Sequence, residues 1–274
     1  MLAYEIIDIN YNELEDLKIK EKNYQPFILA INKENIKFEF LMKINNSDKA
    51  LILGSGAYNP EKMQLPLFQR HSWIDDFDYN IIYYNDPTLY MGDIRLGWGY
   101  GTKDRYFLEE ICEIIIKILN ILSIKRENAY FYGSSGGGFM SIMLATMCKG
   151  SVAIVNNPQT NFFKYKKETV MKLFNIIYGD YKEEYIYKNL WRISSLENMY
   201  RCGNYPKIYY LQNLASKYDI DNHLLPFIKR ISEKEYKNNV EIYLYYNLQQ
   251  GHDPVNKRDT IRFINSSIDK NEEK

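Results

Sequence analysis

The stretch Ala129-Tyr-Phe-Tyr-Gly-Ser-Ser-Gly-Gly-Gly-Phe-Met140 decides how the rest of the chain is interpreted. A short apolar run leads into Gly133-Ser-Ser-Gly-Gly137, and a second apolar run continues to Cys148. A strand, a G-x-S-x-G turn and a helix in this order are typical of a nucleophile elbow, in which the central serine stands on a sharp, strained turn. The sequence therefore predicts that Ser135 is a nucleophile.

The composition fits one α/β domain spanning residues 1–274, because a chain of 274 residues with 46% apolar residues can fill a large core. Lys and Arg total 35, as do Asp and Glu, so the net charge is zero and no basic field favours nucleic acid. A polyanionic ligand would therefore have to be bound by local contacts and not by the overall charge of the protein. We expect no metal site and no permanently bound cofactor.

The N-terminus lacks a basic segment followed by an apolar one, and no apolar run approaches the ~20 residues of a transmembrane helix. The three cysteines, an odd number, cannot all pair with one another, which favours a reducing compartment. These features predict a cytoplasmic protein without a transmembrane segment, and they leave the oligomeric state open.

Residues 4–9, 26–32 and 36–44 alternate apolar and polar positions, which predicts antiparallel strands at the edge of a sheet, within residues 1–45. Continuous apolar runs then alternate with helical patterns, and these runs predict buried strands at 50–53, 79–84, 130–132, 151–155, 207–212 and 240–246. Residues 162–202 are helical and aromatic in pattern and predict a cap-like insertion. Together these patterns predict a mostly parallel, doubly wound α/β sheet. The nucleophile elbow within this pattern predicts the α/β-hydrolase fold.

Candidate partners for Ser135 follow the ends of later strands. A serine hydroxyl needs a neutral imidazole as base and a carboxylate that stabilises the resulting imidazolium. His252 lies in a loop after the last strand, where the base of this fold belongs. Asp219 and Asp221 both follow the strand at 207–212, and Asp219 is preferred because Asp221 stands where a helix N-cap is common.

The glycine-rich loop after the strand at 50–53 predicts part of an oxyanion hole. In this fold the residue after the nucleophile and a loop at this place in the chain each supply a backbone N–H group. Gly136 is the first predicted donor, and Gly56 or Ala57 is the second.

Aromatic residues predict the substrate pocket. Trp98 and Tyr100, in the loop Gly97-Trp-Gly-Tyr-Gly101, are expected to line the mouth of the pocket, and His223 beside the acid loop is expected to contact substrate.

Several short motifs together resemble a group of bacterial α/β-hydrolase-fold proteins, the O-acetyltransferases of capsular and other surface polysaccharides. Besides the elbow, they are Phe68-Gln-Arg-His-Ser-Trp73, Asp86-Pro-Thr88, Gly97-Trp-Gly-Tyr-Gly101, Asn157-Pro-Gln159 and Gln212-Asn213. The acetyltransferase component of accessory secretion systems is similar more distantly. The resemblance covers residues 50–255. One departure concerns the acid, since relatives place an Asp soon after the Gln-Asn pair, where this chain has Ala215 and Ser216.

The resemblance implies that Ser135 is acetylated by acetyl-CoA, that His252 is the base, and that a hydroxyl of a polysaccharide or oligosaccharide accepts the acetyl group. Two other functions stay open from the residues alone. A carbohydrate esterase or deacetylase of the same fold uses the same residues with water as the acceptor. A non-catalytic polysaccharide-assembly protein is the third reading, and the order Ser, Asp, His argues against it.

Overall fold

A nine-stranded sheet forms the centre of the part of the chain that the computed structural model describes, which is residues 4–180, 182–233 and 239–273. Residues 1–3, 181, 234–238 and 274 lie outside the described residues. The expected segments 1–45 and 162–202 and the expected domain 1–274 are therefore described except at these positions. The strands are β1 Glu5–Asn10, β2 Phe27–Lys33, β3 Ile36–Lys43, β4 Ala50–Leu53, β5 Asn80–Tyr84, β6 Ala129–Ser134, β7 Val152–Pro158, β8 Lys207–Asn213 and β9 Val240–Tyr245.

The spatial order of the strands is β1-β2-β3-β5-β4-β6-β7-β8-β9. From β5 to β9 every neighbouring pair is parallel, and β3 is antiparallel to both of its neighbours. The mostly parallel α/β sheet expected from the sequence is therefore confirmed. The carboxyl ends of the parallel strands meet at one edge of the sheet, which is where ligands bind in such folds.

The pairing of the first strand differs from the expectation of antiparallel N-terminal strands. β1 runs parallel to β2, with Glu5 opposite Phe27 and Asn10 opposite Asn32. Two short 3-10 helices, Tyr11–Asp16 and Ile19–Lys22, lie between the two strands and carry the chain back to the start of β2. The alternation of apolar residues indicates which faces of a strand are buried, but it does not give the direction of pairing.

Helices cover both faces of the sheet because alternate side chains of the strands point to opposite faces. In β6, Phe131 joins the core on the side of helices α1 (Phe107–Leu122) and α2 (Ser135–Met147), whereas Tyr130 and Tyr132 join the core on the opposite side. The helix α9 (Lys257–Glu272) covers that opposite side with Ile264 and Ile268. The helices are α1 Phe107–Leu122, α2 Ser135–Met147, α3 Lys167–Tyr178, α4 Glu183–Lys188, α5 Leu190–Ile193, α6 Ser195–Cys202, α7 Lys217–Asp219, α8 Leu225–Ser232 and α9 Lys257–Glu272.

The described residues between β7 and β8 are helical and contain α3 to α6. Phe162, before α3, stacks on Trp98 with ring centroids 4.5 Å apart. This contact joins the helical segment to the loop that precedes α1. No helix within the described residues has both the length and the apolarity to cross a membrane.

The turn from β6 into α2 brings backbone against backbone. A Cβ atom at Gly133 would lie 2.3 Å from the carbonyl group of Gly137, and a Cβ at Gly137 would lie 2.9 Å from the carbonyl oxygen of Gly54. Neither position has room for a side chain. Glycine at these positions therefore lets β6, α2 and the loop after β4 pack directly on one another.

We expect Gly133→Ala to reduce the free energy of unfolding by at least about 2 kcal/mol, because a methyl group there displaces backbone atoms. Gly56→Ala is the matched control for stability, since a Cβ at Gly56 meets its nearest atom at 3.5 Å, an ordinary van der Waals contact. Urea unfolding of the two variants measures the difference. Equal stability of the two variants would contradict the close backbone packing.

Candidate active site

Ser135 begins α2 directly after the end of β6. Its backbone has a φ of 53°, a left-handed conformation that is uncommon for a residue with a side chain. Its carbonyl oxygen accepts a hydrogen bond from the Gln159 amide at 3.1 Å. The strained turn expected at Ser135 is thus present, and the backbone amide of Gln159, directly after the neighbouring strand β7, stabilises it.

Ser135, His252 and Asp219 form a continuous chain of hydrogen bonds. The distance from Ser135 Oγ to His252 Nε2 is 2.8 Å, and the distance from His252 Nδ1 to Asp219 Oδ2 is 2.7 Å. Ser216 donates a further hydrogen bond of 2.5 Å to the same oxygen of Asp219. This arrangement orients the imidazole between the hydroxyl and the carboxylate, as general-base activation of a serine requires.

The structure separates the two candidate acids. Asp219, at the end of α7, is buried and bonded to His252, whereas Asp221 pairs with Lys217 at 2.7 Å on the surface. The geometry therefore brings Asp219, and not Asp221, into hydrogen-bonding distance of His252, and Asp219 stays the candidate acid. Asp221 lies in the π-helical turn Ile220–Leu224, where its side chain has a local ion pair.

The acid and the base differ in their access to solvent. The Asp219 side chain is 2% exposed, whereas the His252 side chain is 39% exposed. The hydrogen bond that His252 Nδ1 donates to Asp219 raises the pKa of His252 above its usual value, and burial opposes this effect. A raised pKa makes the imidazole a stronger base in its neutral form, and its exposure leaves it within reach of a substrate.

A network of buried asparagines fixes the loop that carries His252. The amide nitrogen of Asn157 lies 3.0 Å from the carbonyl oxygen of His252 and 3.2 Å from that of Asp253, and its Oδ1 accepts from the backbone of Asn213 at 2.8 Å. Asn213 in turn donates to the carbonyl oxygens of Asn247 and Gly251. Two motifs found in the sequence, Asn157-Pro-Gln159 and Gln212-Asn213, therefore tie the ends of β7 and β8 to the histidine loop. Sequence reasoning singled out the motifs without finding this role.

The two candidates for the second oxyanion donor differ in the structure. The Gly56 amide donates to Gln69 Oε1 at 2.9 Å and is already engaged, which differs from the expectation that it is free. Gln69 Nε2 also donates to the Ala57 carbonyl at 2.8 Å, so one side chain holds the loop at two points. The Ala57 amide has no hydrogen-bond partner among the described residues. Ala57, together with Gly136 at the start of α2, remains the candidate pair.

Trp98 and Tyr100 are fully buried, which differs from the expectation that they line the mouth of the pocket. Both pack into the aromatic core with Phe162, and this packing excludes them from solvent. Trp98 nevertheless acts on the site indirectly. Its Nε1 donates to Gln159 Oε1 at 2.6 Å, which places the amide nitrogen of Gln159 3.5 Å from Ser135 Oγ.

His223 is also buried, which differs from the expectation that it contacts substrate. Its carbonyl oxygen accepts a hydrogen bond of 2.9 Å from Thr160 Oγ1. Burial lowers the pKa of His223 to about 4, and the ring is therefore neutral at neutral pH. His223 cannot replace His252 as the base because the described contacts of Ser135 Oγ go to His252 and Gln159.

The described residues contain no cluster of three or more His, Cys, Asp or Glu side chains arranged to hold a metal ion.

Comparison with known proteins gives matches in structure alone. No protein-family model matches the chain, and no curated protein sequence matches it. Structures of the capsule O-acetyltransferase of Neisseria meningitidis serogroup A are similar, at 17% identity and TM-scores of 0.63 and 0.68 over 87% of this chain and 96% of that chain. A variant of the same enzyme, solved in complex with CoA, gives a TM-score of 0.67.

Two hydrolases have a similar structure as well. FphF, a fluorophosphonate-binding serine hydrolase of Staphylococcus aureus, is 15% identical with a TM-score of 0.56, over 90% of this chain and 99% of that chain. The S-formylglutathione hydrolase of Agrobacterium tumefaciens is 9% identical with a TM-score of 0.61, over 91% and 95%. The chain has the α/β-hydrolase fold. The resemblance to the polysaccharide O-acetyltransferases, which the sequence motifs indicated, is thus confirmed for the fold.

In this α/β-hydrolase fold the candidate residues lie where the chemistry is usually placed. Ser135 follows β6, Asp219 follows β8 and His252 follows β9, so all three come from the carboxyl ends of parallel strands. Their order in the chain is Ser, Asp, His, which is the order of this fold.

We expect Asp219→Asn to lower the rate of the serine reaction by roughly 10⁴, because the imidazolium loses its carboxylate. Asp221→Asn is the matched control, and loss of its exposed ion pair with Lys217 is expected to cost less than about 1 kcal/mol of stability. The readout is the rate of covalent labelling by a fluorophosphonate. An inactive, normally stable Asp221→Asn would reverse the assignment.

The pH dependence gives a second readout of the same contact. Because the neutral form of His252 accepts the proton and its pKa is raised above 6.5, the labelling rate should rise with pH and reach a plateau only above 6.5. A rate that is independent of pH between about 5 and 9, a range that brackets the usual histidine pKa, would contradict the role of His252 as the base.

Proposed function

We propose that this protein is a serine-dependent O-acetyltransferase that moves an acetyl group from acetyl-CoA to a hydroxyl of a bacterial surface polysaccharide through an acetyl-Ser135 intermediate. The observation that carries the proposal is the hydrogen-bond chain from Ser135 through His252 to Asp219. The choice of donor and acceptor is supported by the similar fold of a capsule O-acetyltransferase, a variant of which binds CoA.

In the first half-reaction Ser135 Oγ attacks the carbonyl carbon of the thioester while His252 Nε2 accepts the hydroxyl proton. Asp219 stabilises the imidazolium that forms, and the amides of Gly136 and Ala57 donate to the negatively charged oxygen. The C–S bond then breaks, and His252 returns the proton to the departing thiolate. CoA leaves as a thiol, and Ser135 carries the acetyl group as an ester.

In the second half-reaction His252 accepts the proton of a sugar hydroxyl, and the hydroxyl oxygen attacks the acetyl ester. Collapse of the tetrahedral intermediate breaks the bond to Ser135 Oγ, which takes the proton back from His252. Transfer competes with hydrolysis by water at ~55 M, so the acceptor hydroxyl must be held close to the ester; such positioning supplies roughly 10⁵ M of effective concentration or more.

A carbohydrate esterase is the second candidate, and the similar folds of FphF and S-formylglutathione hydrolase favour it. Both reactions share the acetyl-serine and differ in whether a sugar hydroxyl or water attacks it. The hydrogen-bonded arrangement of Ser135, His252 and Asp219 argues against a non-catalytic assembly protein, which would not need it. Three free cysteines favour a reducing compartment and so support action in the cytoplasm. The proposed reaction needs no permanently bound cofactor.

The test is to incubate the protein with acetyl-CoA, with and without bacterial capsule oligosaccharides, and to measure thiol release together with the mass of the sugar. We expect acceptor-dependent thiol release and a mass gain of one acetyl group on the sugar, both abolished in Ser135→Ala. Ser232→Ala, on the exposed surface of α8, is the control. Loss of acetyl groups from pre-acetylated sugar, independent of CoA, would favour the esterase instead.

A further inference from the structure

Arg70 lies directly beside the nucleophile turn. Its Nη2 donates a 2.7 Å hydrogen bond to Ser134 Oγ, the residue before Ser135. Its backbone has a φ of 66°, and its carbonyl oxygen accepts from the hydroxyl of Tyr83 at 2.9 Å. Left-handed backbone at a non-glycine residue costs free energy, and such conformations cluster at functional sites. The fold therefore holds Arg70 beside the nucleophile turn despite the free-energy cost of its backbone conformation.

Two aromatic rings fix the guanidinium. Its central carbon lies 5.5 Å from the ring centroid of Trp73 and 5.5 Å from that of Tyr132. Cation–π contacts of this kind hold the planar group without using its N–H donors. The guanidinium is thus immobilised while most of its donors remain available.

No acidic side chain of the described residues pairs with Arg70, whose hydrogen-bonded side-chain partner is Ser134. Two other arginines are buried or partly buried. Arg192 donates to the carbonyl oxygen of Thr102, away from the nucleophile turn, whereas Arg105 is neutralised. Arg105 binds both carboxylate oxygens of Glu110, at 2.9 and 2.6 Å. The fork of N–H donors on an arginine matches the oxygens of a phosphate or carboxylate, and an immobilised, unpaired arginine next to a nucleophile is suited to bind one.

Electrostatics support a local anion site. The formal net charge of the chain is zero, so no general field attracts an anionic substrate. Lys166 is exposed next to Tyr165, with its Nζ 6.0 Å from that ring, and its charge opposes protonation of His252, acting to lower the pKa of the imidazole. No ion pair of Lys166 occurs within the described residues. Arg70 therefore lies beside the residue that precedes Ser135, and Lys166 adds a positive charge that acts on His252.

We infer that Arg70 binds a phosphate or carboxylate group of a substrate whose reacting carbonyl or hydroxyl group lies at Ser135. The inference deepens the proposed function and rests on it for the reaction, but the binding itself does not require turnover. The anion has two possible sources, the phosphates of the CoA donor or an anionic group on the saccharide acceptor.

The experiment measures binding by calorimetry with CoA and with a hexose 1-phosphate as probes. Arg70→Gln should weaken binding of at least one probe by about tenfold or more, because charge-assisted hydrogen bonds are lost. Arg70→Lys should give an intermediate loss, since it keeps the charge without the fork. Arg126→Gln is the matched control, because Arg126 is exposed before the start of β6, at the opposite end of that strand from Ser135. Pantetheine and the free hexose, which lack phosphate, should bind all variants alike.

The outcomes separate the sources of the anion. A loss confined to CoA assigns Arg70 to the donor, and a loss confined to the hexose phosphate assigns it to the acceptor. Native melting temperatures of Arg70→Gln and Arg70→Lys show that the variants are folded. The inference is overturned if Arg70→Gln binds both probes as tightly as the native protein does. The absence of binding of either probe to the native protein overturns it as well.

Fluorophosphonate labelling of Ser135 in the same samples distinguishes this inference from the proposed function. If Ser135 is labelled but substitution of Arg70 does not change probe binding, the anion site is contradicted and the proposed role of Ser135 is not affected. Unlabelled native protein whose CoA binding depends on Arg70 contradicts the serine chemistry and supports the anion site.

Discussion

The sharp turn between β6 and α2 is the constraint on which the site depends. Glycine backbone packs against glycine backbone there, and Gly133, Gly137 and Gly54 have no room for a Cβ atom. This close packing sets Ser135 at a φ of 53° at the carboxyl edge of the sheet. Free energy stored in such a turn must be offset by the surrounding structure, and the buried residues of α2 and the neighbouring strands supply that packing.

The second requirement is to bring two distant loops together so that His252 lies within hydrogen-bonding distance of both Ser135 and Asp219. Backbone hydrogen bonds of the sheet align β6, β7, β8 and β9, but they end before the loops that carry Asp219 and His252. Asn157 and Asn213 extend the alignment beyond the strands, because their side chains bond to the backbone of the histidine loop. A buried amide that makes several hydrogen bonds has one acceptable orientation, so the loop is fixed as well.

The sequence predicted the fold and the order Ser, Asp, His because the strands are continuous apolar runs and each candidate follows one of them. It could not give the parallel pairing of β1 with β2, since a period of two reports buried faces and not strand direction. It also missed the engagement of the Gly56 amide by Gln69 and the burial of Trp98 and His223. These features depend on contacts between distant segments, which a local pattern does not contain.

Trapping the covalent intermediate tests the central claim most directly. The protein is mixed with acetyl-CoA in the absence of a sugar acceptor, quenched in acid after milliseconds to seconds, digested and analysed by mass spectrometry. We expect one acetyl group on the peptide that contains Ser135, and its loss when an acceptor is added before quenching. Acetyl transfer to the sugar with Ser135 unmodified at every time point would contradict an acetyl-serine intermediate and require direct transfer between the two substrates.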